Sequence, residues 1–471
     1  MRRVLLLVAS LSLWAVPAAA QQEKFTLRQA VEYALEHSPV LQAAQAEVQA
    51  REGAATTARS PIYPQVDLFA GFSQNRFPVG YPPATPPTEL RFDESLFRGG
   101  ARLNYLVWDF GTTKFELEAA RERVEAAAST LGRRRQEVVF DVARTYLGAL
   151  TFEDLIRAAE ARRKSLQALV ERTHALVEGG RAVPADELKV RTQLARVDSD
   201  LAVLRSGRRS ALSSLAAAMG LDGRLPQLVY SPPQTAAPPL EAEPDQLRLA
   251  YASRSDLAAA SHALAAAEDT ERSAQRSRLP RFNAFASVAQ YGAGDPESFV
   301  DLIAKVLPGL NPPPLSLDNA VADWSVGATV TFPLFDGGRR KGRIEQAVAE
   351  RQKAERERER LRLNIAREVR TARAELQAAL ERVTALEESV AQAQEVLRTE
   401  QLKYQAGKTT INFVLDAEAA LLTNESLLSQ ARRSVSIAAL ALDLSLGRIQ
   451  PETLAGHGVS DGGQPAGKPD D

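Results

Sequence analysis

Ala406-Gly407-Lys408-Thr409-Thr410 has the residue types that close a phosphate-binding loop: a glycine, a lysine for phosphate charge, and hydroxyls for a metal. Such a loop needs another glycine five residues before Gly407, where Leu402 stands. It also needs a buried strand ahead of it, and here a heptad-patterned helix precedes. The pattern fits instead a glycine that lets a helix turn. "FDGGRRKG" (335–342) offers glycines and basic side chains again, but no third element of a nucleotide fingerprint follows. Its near-copy "WDFGTTK" (108–114) carries one glycine fewer. The histidines at 37, 174, 262 and 457 lack metal-ligand spacing. There is no cysteine, which removes disulfides, thiolate metal sites, cysteine nucleophiles and a lipid-modified N-terminal Cys. The carboxylates fall mostly on charged helix faces, and no nucleophile has a base beside it. The residues point to no enzyme, no cofactor and no metal. A net charge of −1 creates no field that would draw nucleic acid.

The chemistry therefore gives way to the elements. Arg2 and Arg3, the apolar run Val4 to Val16, and Ala18-Ala19-Ala20 read as a secretory leader cleaved before Gln21. No later stretch reaches the roughly 18 apolar residues of a membrane-spanning helix. The expectation is an exported chain that is not an α-helical membrane protein.

The rest is written twice. Lys114 and Lys341, Gly180 and Gly407, and Gly220 and Gly447 are each 227 residues apart. Upstream, Pro64 and Pro280 lie 216 apart, so eleven extra residues fall between about 290 and 321 and mark a loop. Repeat 1 spans 21–222 and repeat 2 spans 246–447. A proline-rich linker (223–245) joins them, and a structureless tail (448–471) follows. Each copy reads helix, strand, loop, strand, very long helix, short break, long helix. Period-two alternation sets the strands at about 64–75, 100–110, 280–290 and 321–332. The helices run about 111–178, 184–220, 339–406 and 411–446. Ile365, Val369, Ala372, Leu376, Ala379 and Val383 step by four and three, a heptad pattern that Val138, Val142, Thr145 and Ala149 share. A helix of some 65 residues is about 100 Å long.

The strands have the length that crosses a bilayer at a tilt, and an open sheet edge is not tolerated in lipid. Four strands are too few to close, so chains must pool them, and three would give twelve. Trp108 and Trp324 are expected at matching depths, as interface aromatics. The fold class is then a mixed α and β membrane protein: four transmembrane strands per chain, a twelve-stranded barrel as a trimer, continued by a long α-helical coiled-coil barrel.

"FTLRQAVEYALEHSPVLQAA" (25–44), "VTFPLFDGG" (330–338) and "YQAGKTTINFVLDAEAALLTNESLL" (404–428) resemble the signatures of the outer membrane efflux protein family, the TolC-like channels. The resemblance covers residues 25–447. It implies a homotrimer in outer-membrane lipid, reaching into the periplasm, and "FPLFDGG" as the corner where barrel becomes tunnel. It implies passive conduction, with a periplasmic adaptor (membrane fusion protein) and an inner-membrane pump docked on the tip, for drug efflux or type I secretion. The breaks Gly180-Arg181-Ala182 and Gly407-Lys408-Thr409 would be the adaptor-contact tip. The loops at about 76–98 and 291–320 would face outside. For the pore gate, the resemblance puts an iris aspartate at Asp416 and leaves Phe413 where a second acid would stand. Asp186 and Tyr404 match linking groups, while Thr409 occupies an arginine position with Lys408 beside it. Two other classes also use coiled coils: a periplasmic adaptor, which carries one helical hairpin per chain where this chain has two, and a soluble scaffold, which has no use for the strands.

Overall fold

The computed structural model describes residues 24–75, 94–180, 182–233, 240–293 and 321–457. The expected leader, Arg181, most of the two expected outer loops and the tail beyond 457 lie outside these. The chain forms two units: one from the described parts of 1–43, 132–254 and 364–471, the other from 44–131 and 255–363.

In the first unit, α1 (Leu27–His37) starts at a capping box. Thr26 Oγ1 accepts from the Gln29 amide at 3.2 Å, and Gln29 Oε1 accepts from the Thr26 amide at 2.9 Å. α2 (Pro39–Arg59) follows after Ser38. α5 (Glu243–Ser253) and α6 (Ser255–Arg276) are divided in the same way at Arg254. Where the sequence suggested one helix before each first strand, two stand. At the first joint the cause is Pro39, which has no amide to continue α1. At the second, Arg254 is in extended conformation and its buried guanidinium reaches Glu368 at 2.5 Å. α4 (Pro184–Met219) and α8 (Ile411–Leu446) end against these joints. Their caps, Gly220 and Gly447, have φ of 76° and 74°. A Cβ there would lie 3.0 Å from the His37 and Ser253 carbonyl oxygens respectively, so glycine is required twice over.

Two short strands were not foreseen. β1 (Lys24–Phe25) pairs in parallel with β4 (Gln227–Leu228), which ties the start of the proline-rich linker to the N-terminus. Tyr146, buried on α3 (Thr112–Glu178), sets its hydroxyl 3.1 Å from the Phe25 carbonyl and 2.8 Å from that of Val229. Burial pushes this phenol well above its usual range, against the opposing pull of the Arg433 guanidinium. Residues 448–457, assigned by the sequence to a structureless tail, instead carry a 3-10 turn, Pro451–His457. The reason is apolar: Ile449 and Leu454 are buried, and the turn packs on α1 and α8.

The second unit holds an antiparallel sheet in the order β2 (Gln65–Asn75), β3 (Glu94–Trp108), β5 (Arg281–Ala293), β6 (Val321–Thr331). Residues align in cross-strand rows, Val66–Leu103–Ala286–Val326 and Leu68–Ala101–Val288–Trp324. These rows make one face apolar, and Val66, Leu68, Val288, Trp324 and Val326 on it are exposed. The other face carries Asp67–Arg102–Ser287–Ser325, with the two serine hydroxyls 2.8 Å apart. On that face Phe69 is covered by the guanidinium of Arg102, 5.3 Å from the ring centre. β2 and β6 have no partner on their outer edges among the described residues.

Three expectations about the sheet need correction. β3 starts at Glu94 rather than near 100, and β5 runs to Ala293, so both loops lose residues to the ladder. The pair Gly99-Gly100, where β3 was expected to begin, falls inside that strand. It is a close approach: a Cβ on Gly100 would fall 2.8 Å from the Ala289 Cα and nearer still to the Val288 carbonyl oxygen. Gly100→Val should therefore force β3 away from β5 and cost about 3 kcal/mol, the upper range for overpacking. Thermal unfolding of the variant checks this, and a transition unchanged from wild type would refute the close contact. Third, the two tryptophans are not at matching depths. Trp108 ends β3 beside Phe282, whereas Trp324 pairs with Val288, six residues further along β5 and so about 20 Å away. The eleven-residue insertion lies upstream of Trp324, which places that residue opposite Phe97 at the 227-residue offset. A register shift between Leu106 and Trp108 aligns Trp108 with the apolar row of Phe282.

The corners that lead into α3 and α7 (Arg339–Gln405) share one chemistry. Asp109 accepts from the Gly111 amide at 3.1 Å and the Thr113 amide at 2.8 Å. Asp336 accepts from the Arg340 amide at 3.1 Å and its Nε at 2.8 Å. Partial burial pushes the Asp336 carboxyl up, but the Arg340 guanidinium and the amides of Arg340 and Gly338 outweigh it and hold it below the usual range. The glycine that one copy lacks is replaced by strain: Phe110 takes φ 58° where Gly337 takes 67°. A side chain there costs about 1–2 kcal/mol. The ring is held 5.9 Å from that of Trp108 and 6.3 Å from that of Phe282.

Candidate functional site

The gate and tip residues named from the sequence gather at one end of the helical unit. α3, α4 and α8 share an apolar core there, with Ile156, Leu166, Val190, Leu201, Ile411 and Val414 buried. Tyr404, on the last turn of α7, packs against it. Each long helix turns through a left-handed glycine, Gly180 at φ 67° and Gly407 at φ 69°. At Gly407 the backbone closes fully: its amide donates to the Tyr404 carbonyl at 3.0 Å, and the Lys408 amide donates to that of Lys403 at 2.9 Å. A Cβ at either glycine would meet nothing within 4 Å. Left-handed backbone, and not crowding within the chain, is what selects glycine here.

Tyr404 lies beside Thr173, a fully buried side chain on α3 whose hydroxyl donates to the Leu169 carbonyl at 2.8 Å. Burial first, and then the carboxylate of Asp186, raise the Tyr404 hydroxyl above the usual phenol range, while Thr173 pulls the other way. Asp186 occupies the first turn of α4, where the helix dipole favours a negative charge, and reaches Lys189 at 3.5 Å. The structure thus brings Asp186 and Tyr404 into one electrostatic neighbourhood.

Phe413 and Asp416 stand three residues apart on α8, both exposed, while Ile411, Val414 and Leu415 turn inward. The helix buries one face and presents this pair on the other. Ala182 and Thr409 are half-buried and Lys408 is exposed. Among the described residues, Lys408, Thr409 and Asp416 make no side-chain hydrogen bond or ion pair. Arg181 lies outside the described residues.

Sequence reasoning missed two polar groups at this end. Thr173 continues the heptad positions Leu166 and Val170, so a hydroxyl at a core position was the available signal. Glu418 follows Ile411 and Val414 at helical spacing. It is buried and accepts from Ser165 Oγ at 2.5 Å.

The model of the family described as Outer membrane efflux protein matches twice, at residues 30–221 and 247–448. The chain belongs to the outer membrane efflux protein family. Family membership locates it in the outer membrane and gives it a transport role rather than an enzymatic one. Two curated relatives are Protein CyaE of Bordetella pertussis, 27% identical over 77% of this chain and 71% of that one, and Outer membrane efflux protein BepC of Brucella suis, 25% identical over 91% and 87%. Among solved structures, the channel CusC matches with a TM-score of 0.74 at 20% identity, covering 90% of this chain and 92% of that one. That likeness carries the fold alone: long helices and a small antiparallel sheet.

Proposed function

We propose that the chain, once its leader is removed, assembles as a homotrimeric channel and passively conducts cargo delivered by an inner-membrane pump and a periplasmic adaptor. The observation that carries this reading is the four-stranded sheet with an exposed apolar face and two unpaired edges. Such a sheet is stable in lipid when three copies join edge to edge into a closed barrel of twelve strands. The long helices then continue the duct through the periplasm. The loops beyond Asn75 and Ala293 lie at the strand ends opposite the helices and face outside. The turns at Gly180 and Gly407 meet the adaptor.

Symmetry would place three Asp416 carboxylates and three Phe413 rings at one constriction. Rings of aspartate favour cations. The mature protein in detergent should have the mass of three chains and conduct in planar bilayers, whereas a stable monomer that conducts would defeat the proposal. In the same recordings, Asp416→Ala should lower cation selectivity and block by multivalent cations, and Phe413→Ala should raise basal conductance. Unchanged selectivity and conductance in both variants would place the constriction elsewhere.

A further inference from the structure

The 227-residue repeat gives each position of α3 an image on α7, and each position of α4 an image on α8. Within one chain α3 and α8 meet. Leu147, Leu150 and Asp154 form a row along α3, and Arg433, Ser436 and Leu440 form a row along α8. All six are buried, and the Asp154–Arg433 ion pair at 2.9 Å joins the rows. The other two helices flank this contact. Asp198 and Arg205 tie α4 to Arg163 and Glu160 of α3, and Glu387 ties α7 to Arg432 of α8. The order is therefore α4, α3, α8, α7, with a free side at each end.

The images of the two buried rows stand on those free sides. They are Ala374, Gln377 and Glu381 on α7 and Ser206, Arg209 and Ser213 on α4, and all six are exposed. Alanine, glutamine and serine replace Leu147, Leu150 and Leu440, which suits a face that is wet until a separately folded chain arrives. The charges are complementary. Glu381 takes one hydrogen bond, from Gln377, and Arg209 makes no side-chain hydrogen bond or ion pair among the described residues. The in-chain contact of Ser165 with Glu418 also has a polar image, Gln392 on α7 and Arg191 on α4. We propose that the exposed row of α4 seats on the exposed row of α7 of a second copy, in the register of the α3–α8 contact. Glu381 of one copy then lies opposite Ser206 of the next and pairs with Arg209, one turn along α4. Two helices separate α4 from α7 in the same chain, so each chain offers one half to each neighbour and the contact closes as a ring. The proposal deepens the trimeric reading above and rests on it.

The chain has no cysteine, so Ser206→Cys and Glu381→Cys can be placed together without background. A short bis-maleimide applied to membranes carrying this double variant should give bands of two and three chains on a denaturing gel, and neither single variant should. Bands of one chain only, beside a wild-type native mass of three chains, would overturn the α4–α7 contact and leave the trimer standing. A wild-type native mass of one chain would overturn the trimeric reading itself. The charge pair is tested separately. Glu381→Arg should lower the share of chains recovered as trimer by about threefold or more, because it sets two like charges together. Adding Arg209→Glu should restore it. Undiminished recovery in the single reversal, or a double reversal no better than the single one, would overturn the pairing of Glu381 with Arg209.

Discussion

Replacing Arg433 by methionine should cost the folded chain about 3–5 kcal/mol, the penalty for leaving a buried charge without its partner. Arg433 on α8 is 2% exposed, and its Nε donates to Asp154 of α3 at 2.9 Å. Its second terminal nitrogen reaches the Ser231 carbonyl at 2.5 Å. Tyr230 donates to the same carboxylate at 2.8 Å, and Arg157 stacks 3.4 Å over the Tyr230 ring. Helix α3, helix α8 and the linker therefore meet at one buried ion pair. Without the guanidinium, the Asp154 carboxylate keeps one phenol and loses its countercharge. Thermal unfolding in detergent should show a much lower transition for Arg433→Met. Changing Asp154 to leucine as well should recover a large part of the loss, because the unpaired charge goes with it. A single variant as stable as wild type would mean that the pair is solvated and the linker held elsewhere.

Bulky residues at the tip glycines should abolish export while leaving the amount of trimer intact. Gly180 and Gly407 hold positive φ with open space where a Cβ would go. Valine at either site strains the turn by about 1–2 kcal/mol, too little to unfold helices that pack through their own apolar faces. Its branched side chain would fill the space that the proposed adaptor backbone approaches. The measurement is cargo export by cells carrying Gly180→Val or Gly407→Val, beside trimer yield in the same membranes. Normal export in both would remove the tip from the docking surface. Loss of trimer together with export would make these glycines structural.

The sequence by itself determined the periodic parts of the chain. A heptad step in Ile365, Val369 and Ala372 carries its meaning locally, because any helix with that pattern needs a partner along one face. The alternation in Trp324, Val326, Ala328 and Val330 is local in the same way, and so are the glycines that stop α4 and α8. Leu402, in place of the P-loop's first glycine, and the helix pattern before it argued against a phosphate-binding loop at 406–410. Asp186 and Tyr404 could be named from motif positions.

Tertiary structure decided whatever depends on residues far apart in the chain. That Gly99-Gly100 continues a strand follows from how near the Val288 backbone comes, and no window around residue 100 contains residue 288. That Trp108 and Trp324 lie at different depths follows from strand register, set by a bulge and by the position of an insertion. That Thr173 meets Tyr404, and Arg433 meets Asp154, depends on which helix faces which. A polar side chain at a core position announces that it needs a partner, and packing alone says which one. The β1–β4 pair is too short for any periodic signal; neighbours such as Tyr146 make it stable. Residues 448–457 looked structureless because glycine and proline dominate beyond them, yet Ile449 and Leu454 had a surface waiting on α1 and α8. Periodicity records the direction in which a side chain must point, and the fold supplies what it finds there.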